Sequence, residues 1–170
     1  MNEEQKLLGL LTYKPESGLF FWNESRGKAK KGDKAGYVMS NGYIGISFNK
    51  RIYKAHRLAW FFMNGEMPAL EIDHINCDKS DNRICNLREV SRTENIRNRG
   101  MHKRNSSGVK GVSWKGSRGK WETRIGHMNG RIHLGMFSDL ELAELVVSEA
   151  REKYHGEYAN HGRKCEKIHP

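Results

Sequence analysis

Glu71-Ile72-Asp73-His74-Ile75-Asn76, followed by Asn86-Leu87-Arg88 and then Asn95, is the stretch on which the reading of this chain turns. It sets an imidazole beside a carboxylate and brings amide side chains within a short span. Phosphodiester hydrolysis needs an activated water, neutralised phosphate charge and help for the leaving oxygen, which a histidine base and one divalent ion supply together. His74 suits the base and Asp73 the ion. Strand neighbours point to opposite faces, so the pair shares a task only where the strand ends or bulges. The polar residues 76–83 allow such a distortion, and Asp78, Asp81 and Asn82 within them read as a solvated turn. Ser91-Arg92-Thr93-Glu94 is a capping box, which places Asn95 in the first turns of a short helix. A carboxylate with an amide oxygen is a hard donor pair, suited to one Mg2+ or Mn2+ ion per site rather than zinc or copper.

These ordered positions resemble the His-Asn-His (HNH) nuclease motif, with Asn95 where many members carry histidine, as in a phage intron-encoded branch. The resemblance implies a ββα-metal unit in which His74 is the general base and Asp73 and Asn95 hold the metal. Asn86 would bond across the loop and keep His74 oriented. The Gly18-Leu19-Phe20-Phe21-Trp22 strand and the His56-Arg57-Leu58-Ala59-Trp60 segment also resemble phage HNH proteins.

Outward from that centre, residues 5–11 are a helix candidate, 13–18 a turn and 19–22 a strand, with a basic loop over 26–34. Asn41-Gly42 predicts a hairpin between strands 36–39 and 43–48. A turn at Asn49-Lys50 leads to a strand over 51–54, then a helix over 55–64 stopped near Gly65. His56 at that helix start has two readings, a packed histidine or a support for the active site and DNA phosphates; Arg57 beside it is a further DNA-contact candidate.

The formal net charge is +10 over 170 residues, with mean hydropathy −0.81. Residues 97–121 hold eight Lys/Arg and no acid, which points to nucleic acid. Arg88, Arg97, Arg99, Lys103, Arg104, Lys115 and Lys120 are phosphate-contact candidates. No stretch is apolar enough for a membrane span and Met1-Asn2-Glu3-Glu4 lacks a basic leader start, so no membrane partner and a cytoplasmic place in a bacterial host are expected. The three cysteines form neither a disulfide framework nor a short-spaced zinc pattern. Nothing resembles a coiled-coil seam, so a monomer is expected.

In the last third, 121–125 and 131–136 alternate in period two around a turn at Met128-Asn129-Gly130. Trp121, Thr123, Ile125, Ile132, Leu134 and Met136 would face a core; Arg124, Arg131 and His133 would point away. A helix capped by Ser138 with Glu141 would line that core with Leu142, Leu145, Val146 and Ala150 and stop at Gly156. Ser107-Gly108-Val109-Lys110-Gly111-Val112, Gly119-Lys120-Trp121, Leu134-Gly135-Met136-Phe137 and the helix after them resemble the plant ethylene-response-factor DNA-binding domain. That resemblance implies a three-stranded sheet lying in the major groove, with Lys110, Trp114, Arg124, Arg131 and His133 as contact candidates. Arg124 stands where the plant domain commonly has an acid and Gly126 replaces an arginine, so base preference does not transfer.

The expectation is an α+β chain: a small antiparallel sheet plus a ββα-metal HNH unit over 1–100, a basic linker over 101–107, a three-stranded antiparallel sheet packed on one helix over 108–161, and a tail over 162–170. It would be a metal-dependent, homing-type endonuclease nicking duplex DNA. The alternative is a non-catalytic DNA-binding protein with a degenerate centre.

Overall fold

The computed structural model describes residues 3–102, 104–127 and 130–162. They divide into two compact units, Met1–Val90 and Ser91–Pro170. The division falls ahead of the helix that carries Asn95, not near residue 100. The fold mixes α and β, and its sheets are small and antiparallel.

In the first unit, α1 (Glu3–Gly9) ends before the expected residue 11 because Leu11 opens a strand, β1 (Leu11–Lys14). The run of leucines hides this change. Leu11 and Tyr13 are buried while Thr12 and Lys14 are exposed, the period of a one-faced strand. β1 pairs with β2 (Leu19–Trp22), which pairs with β3 (Lys34–Ala35). β4 (Tyr37–Val38), β5 (Ile44–Phe48) and β6 (Arg51–Lys54) form a second sheet in that order. Its two turns are the predicted ones, and Asn49 and Lys50 carry φ of 47° and 62°, the left-handed pair a tight hairpin needs. α2 (Ala55–Asn64) follows, closed by left-handed Gly65, whose N–H donates to the Phe61 carbonyl. β7 (Glu71–His74) pairs with β8 (Leu87–Val90), setting Asp73 opposite Arg88 and His74 opposite Leu87. Leu7, Phe20, Ile46 and Leu58 are fully enclosed in the core beneath these elements.

The second unit starts with α3 (Arg92–Arg97), where Ser91 and Glu94 cap each other's backbone as the sequence predicts. β7, β8 and α3 give the ββα order in the chain. β9 (Val112–Lys115), β10 (Lys120–His127) and β11 (Gly130–Phe137) form a sheet with β10 central, covered by α4 (Leu140–His155). Met128 and Asn129 of the expected turn lie outside the described residues.

Two expectations are corrected in this unit. Asp139, not Ser138, caps α4, its Oδ1 accepting from the N–H groups of Glu141 and Leu142. With the helix begun at Leu140, the buried stripe is Ala143, Val147, Arg151 and His155 at four-residue spacing; Leu142 and Leu145 are exposed. A bulge also shifts the register between Thr123 and Arg124, so Thr123 faces Gly135 and Arg124 faces His133. Leu134 is the extra residue and packs inward, whereas Met136, opposite Glu122, turns to the outer face.

The apolar core here is small, and long polar side chains lock its edge. Lys110 Nζ donates to the carbonyls of Arg97, Arg99 and Asn160 at 3.2, 2.5 and 2.9 Å. Buried Arg151 donates to the Lys110 carbonyl at 2.6 Å. Gly111, at φ +84°, lets this turn meet the sheet, since a Cβ there would lie 2.6 Å from the Arg124 carbonyl.

Candidate functional site

His74 is the last residue of β7, where the strand gives way to a tight loop. Cys77 donates its N–H to the His74 carbonyl at 2.9 Å and adopts a left-handed φ of 58°. Asn86 ties the loop together: its Oδ1 accepts from Asn76 N–H at 3.0 Å and its Nδ2 donates to the Asp81 carbonyl at 2.8 Å. Arg83 forks onto Asp81 through Nε and Nη2 at 2.9 and 2.7 Å. Those hydrogen bonds hold the Asp81 carboxyl below the usual carboxylate range.

Of the residues read as a solvated turn, Asn82 is corrected. Asn82 is buried, and its Oδ1 lies 3.3 Å from His74 Nε2 while its Nδ2 donates to the Ser80 carbonyl. With the amide so turned, this hydrogen bond forms in the tautomer of a neutral His74 that carries its proton on Nε2 and its ring lone pair on Nδ1. The loop is fixed from β1, where Tyr13 OH donates to the Asn82 carbonyl at 2.7 Å. Burial first, then the nearby charges of Cys85 and Asp81, raises the Tyr13 hydroxyl to about 12. Gly18, at φ +69°, backs the same loop so closely that a Cβ would strike the backbone of Asn82 and Arg83. Asn82 was missed because its burial depends on this tertiary approach; only its place among turn-forming residues is visible in the sequence.

Burial pushes His74 below the ordinary histidine range, opposed by the Asn82 hydrogen bond and by Asp73. His56 is packed, and what it packs against includes His74. Its ring stands at 81° to His74 with centroids 5.2 Å apart, and Tyr43 touches both rings at 5.1 and 5.8 Å. Burial, then His74, Lys54 and Arg57, lowers His56 to about 3. The expectation that it meets DNA phosphates is corrected, since it is buried and uncharged near neutrality.

Asp73 is buried, and Arg88 reaches its Oδ2 with Nε and Nη2, both at 3.0 Å. Arg88, expected on phosphate, is thus paired across the strands. The Asp73 carboxylate is a hard, buried oxygen donor of the type that suits a small divalent cation, but Arg88 occupies its Oδ2, and among the described residues no group of three or more His, Cys, Asp or Glu is gathered to hold one. Arg57, another expected DNA contact, spans the Pro68 and Leu70 carbonyls and fastens the segment leading to β7. Asn95 lies in α3 of the second unit, its N–H on the Ser91 carbonyl at 3.0 Å.

On the outer face of the β9–β11 sheet, the central residue is an acid. Glu122 is buried, with Oε1 2.6 Å from Arg124 Nη2 and 3.8 Å from His133 Nδ1, and Oε2 3.2 Å from Lys115 Nζ. Burial pushes its carboxyl up, but hydrogen bonds from Lys115 and Arg124 pull it down further, so it stays ionised. Arg124, Lys115 and His133 keep 46%, 43% and 53% of their side chains exposed. Arg131 and Lys120 are exposed on the same face by their pairing with Gly126 and Lys115. Trp114 does not join them. It pairs with Trp121, so both point to the α4 side, with ring centroids 4.9 Å apart. Lys110 is committed to the three carbonyls named above. Arg99 and Arg104 are exposed, Arg97 is half-buried, and Lys103 lies outside the described residues.

Residues 53–97 match the family model for HNH endonucleases, a span that holds His56, Asp73, His74, Asn86 and Asn95. The class is thereby that of proteins with an HNH endonuclease domain. Protein 3.8 of Escherichia phage T7 is 34% identical over 116 residues, covering 65% of this chain and 93% of that protein. The chain belongs to the family of that phage protein.

Proposed function

We propose that this protein is a metal-dependent, homing-type endonuclease that hydrolyses phosphodiester bonds of duplex DNA and nicks one strand per encounter. The observation that carries the reading is His74: a buried neutral imidazole at a strand end, with its Nε2 proton held by Asn82, inside the span that matches the HNH family. His74 Nδ1 takes the proton of the attacking water. Asn86 keeps the loop closed so that the ring does not turn, and Asn82 fixes the tautomer. Asp73 and, by the family pattern alone, Asn95 are the residues that would hold one Mg2+ or Mn2+ ion. When bound, the ion neutralises the phosphate and the leaving oxygen.

The C-terminal sheet, read as an ethylene-response-factor-like domain over 108–161, positions the duplex through Arg124, Arg131, His133, Lys115 and Lys120, with Arg97, Arg99, Lys103 and Arg104 on phosphates. The protein acts as a monomer in the cytoplasm of a bacterial host. The test is cleavage of supercoiled DNA with Mg2+, Mn2+ or chelator. Metal-dependent open-circle product is expected, with the rate lowered about 10²- to 10⁴-fold in His74→Ala. One observation favours a second reading, a DNA-binding protein with a degenerate centre: the Arg88 guanidinium already sits on Asp73, which weakens its hold on a cation. Retained duplex binding with no product from the wild type would establish that reading.

A further inference from the structure

Two cations gathered beside the histidine pair lie outside the residues singled out by the HNH pattern. Lys54 closes β6 just ahead of α2, and Lys79 lies in the loop after β7. Both ammonium groups sit over the ring of Tyr43, at 5.4 and 4.7 Å from its centroid. That ring packs against His56 and His74 at once. Each lysine is thus one aromatic ring away from the catalytic imidazole. Lys79 is further held by the Asn41 carbonyl at 3.2 Å.

Gathering two cations on one ring has an electrostatic cost. An aromatic face attracts an ammonium group, but it does not cancel the repulsion between two. Among the described residues neither lysine makes an ion pair. Both are exposed, so an anion can reach them. A DNA strand offers a phosphate about every 3.4 Å along the helix axis. Cations one ring from the base therefore stand where a phosphate neighbouring the scissile one would pass.

We infer that Lys54 and Lys79, positioned by Tyr43, form a phosphate-binding rim beside His74 that takes two adjacent backbone phosphates of the strand being cut, one per lysine. The inference rests on the nuclease reading and adds to it a subsite that fixes the register of the strand. Tyr43 is a positioning residue here: it aligns the lysines and buttresses both histidines. The uncleaved side of the duplex would be held elsewhere.

The experiment uses the full chain in a His74→Ala background, so that bound DNA persists, with a mixed-sequence duplex of about 30 base pairs. The duplex is long enough to offer several turns of phosphates. Affinity is measured against salt concentration. Each lysine that neutralises a phosphate contributes about 0.9 to the slope of log K on log salt. Lys54→Ala and Lys79→Ala should each flatten the slope by that amount, Lys79→Arg should restore it, and the double variant should lose about twice as much. Tyr43→Leu should lower affinity with both lysines intact, and Tyr43→Phe should not. With His74 restored, the lysine variants should raise KM for plasmid cleavage more than they lower kcat.

Slopes unchanged in the double variant, while the His74→Ala protein still binds duplex steeply, would overturn the rim and leave the nuclease reading standing. Failure of the wild type to bind or cut duplex would remove both. If Tyr43→Leu proves unfolded, the lysine variants, altered only at exposed side chains, still decide the question.

Discussion

Of the places where this chain buries titratable side chains, the histidine pair and Glu122 resolve the cost in opposite ways. His74 and His56 are packed with rings around them and lose their charge; Glu122 is packed with cations around it and keeps it. The difference follows from what surrounds each group. Desolvation without a partner favours the neutral form, whereas hydrogen bonds from cations favour the ionised one. A proton acceptor has to be neutral before it acts, and a face that meets DNA has to keep its arginines and lysines ordered without losing their charge. Under the proposed function the two units would meet these needs with separate local chemistry.

The contrast is broken most severely at the base itself. His74→Ala removes the proton acceptor, and the loss of about 10²- to 10⁴-fold in cleavage should come with duplex affinity nearly unchanged. An equal fall in binding would mean that the imidazole holds DNA rather than acting on water. Asn82→Ala tests the tautomer. Without the Asn82 oxygen the ring can turn, and a drop of roughly tenfold to a hundredfold is expected, the scale typical of a supporting residue behind a functional one. Unaltered single-turnover cleavage in a folded Asn82→Ala protein would remove that role.

His56 sharpens the comparison through stability. Its folded value of about 3 lies below the ordinary 6.5. As pH falls below 6.5 the unfolded chain takes up a proton that the folded chain refuses. The contribution is therefore intact above pH 6.5 and drains away as pH falls toward 3, at about 1.4 kcal/mol per unit, or about 2 kcal/mol at pH 5. His74 and His155 shift in the same direction and add to the acid limb. In His56→Phe, denaturant midpoints followed between pH 7 and 5 should show a shallower decline; a decline as steep as in the wild type would mean that His56 is protonated in the fold. Ser91→Ala, smaller again, removes half of the capping box and should lower stability by about 1 kcal/mol.

What was legible in the sequence follows the range of the forces involved. The Ser91–Glu94 box, the Asn41-Gly42 turn and the helix closed by Gly65 are local devices, and the structure forms each where it was expected. Strand β1 was hidden because Leu7, Leu8, Leu10 and Leu11 form one apolar run, and only pairing with β2 shows where the helix gives way. The bulge at Leu134 moved Met136 to the other face, since a single extra residue reverses every side chain beyond it. Trp114 is a contact candidate by resemblance, but its register with Trp121 places it on the face opposite the basic one. At the candidate site Asp73, His74 and Asn86 stand out by their order along the chain, and the structure sets the first two at the end of β7 and the third in the loop tie behind it. Asn82, Tyr13, Gly18, Lys54 and Lys79 do not stand out, because each matters through a neighbour distant in the chain.

Glu122 gives the smallest effect and the finest comparison. A carboxylate in the centre of a cationic sheet lowers the positive charge of the face proposed to meet DNA, yet it also gives Lys115 and Arg124 a common anchor. In Glu122→Gln the face gains net positive charge, so mixed-sequence duplex should bind a few-fold more tightly at about 0.05 M salt, and the gain should fade by about 0.2 M as screening and counterions take over. The thermal midpoint should fall, because an amide oxygen holds cations less strongly than a carboxylate. Tighter binding with a lower midpoint would mean that the acid trades affinity for order. Weaker binding at low salt would reverse the account: the ordering of Arg124 would then matter more to the duplex than the added charge, and the sheet would depend on its buried acid as closely as His74 depends on Asn82.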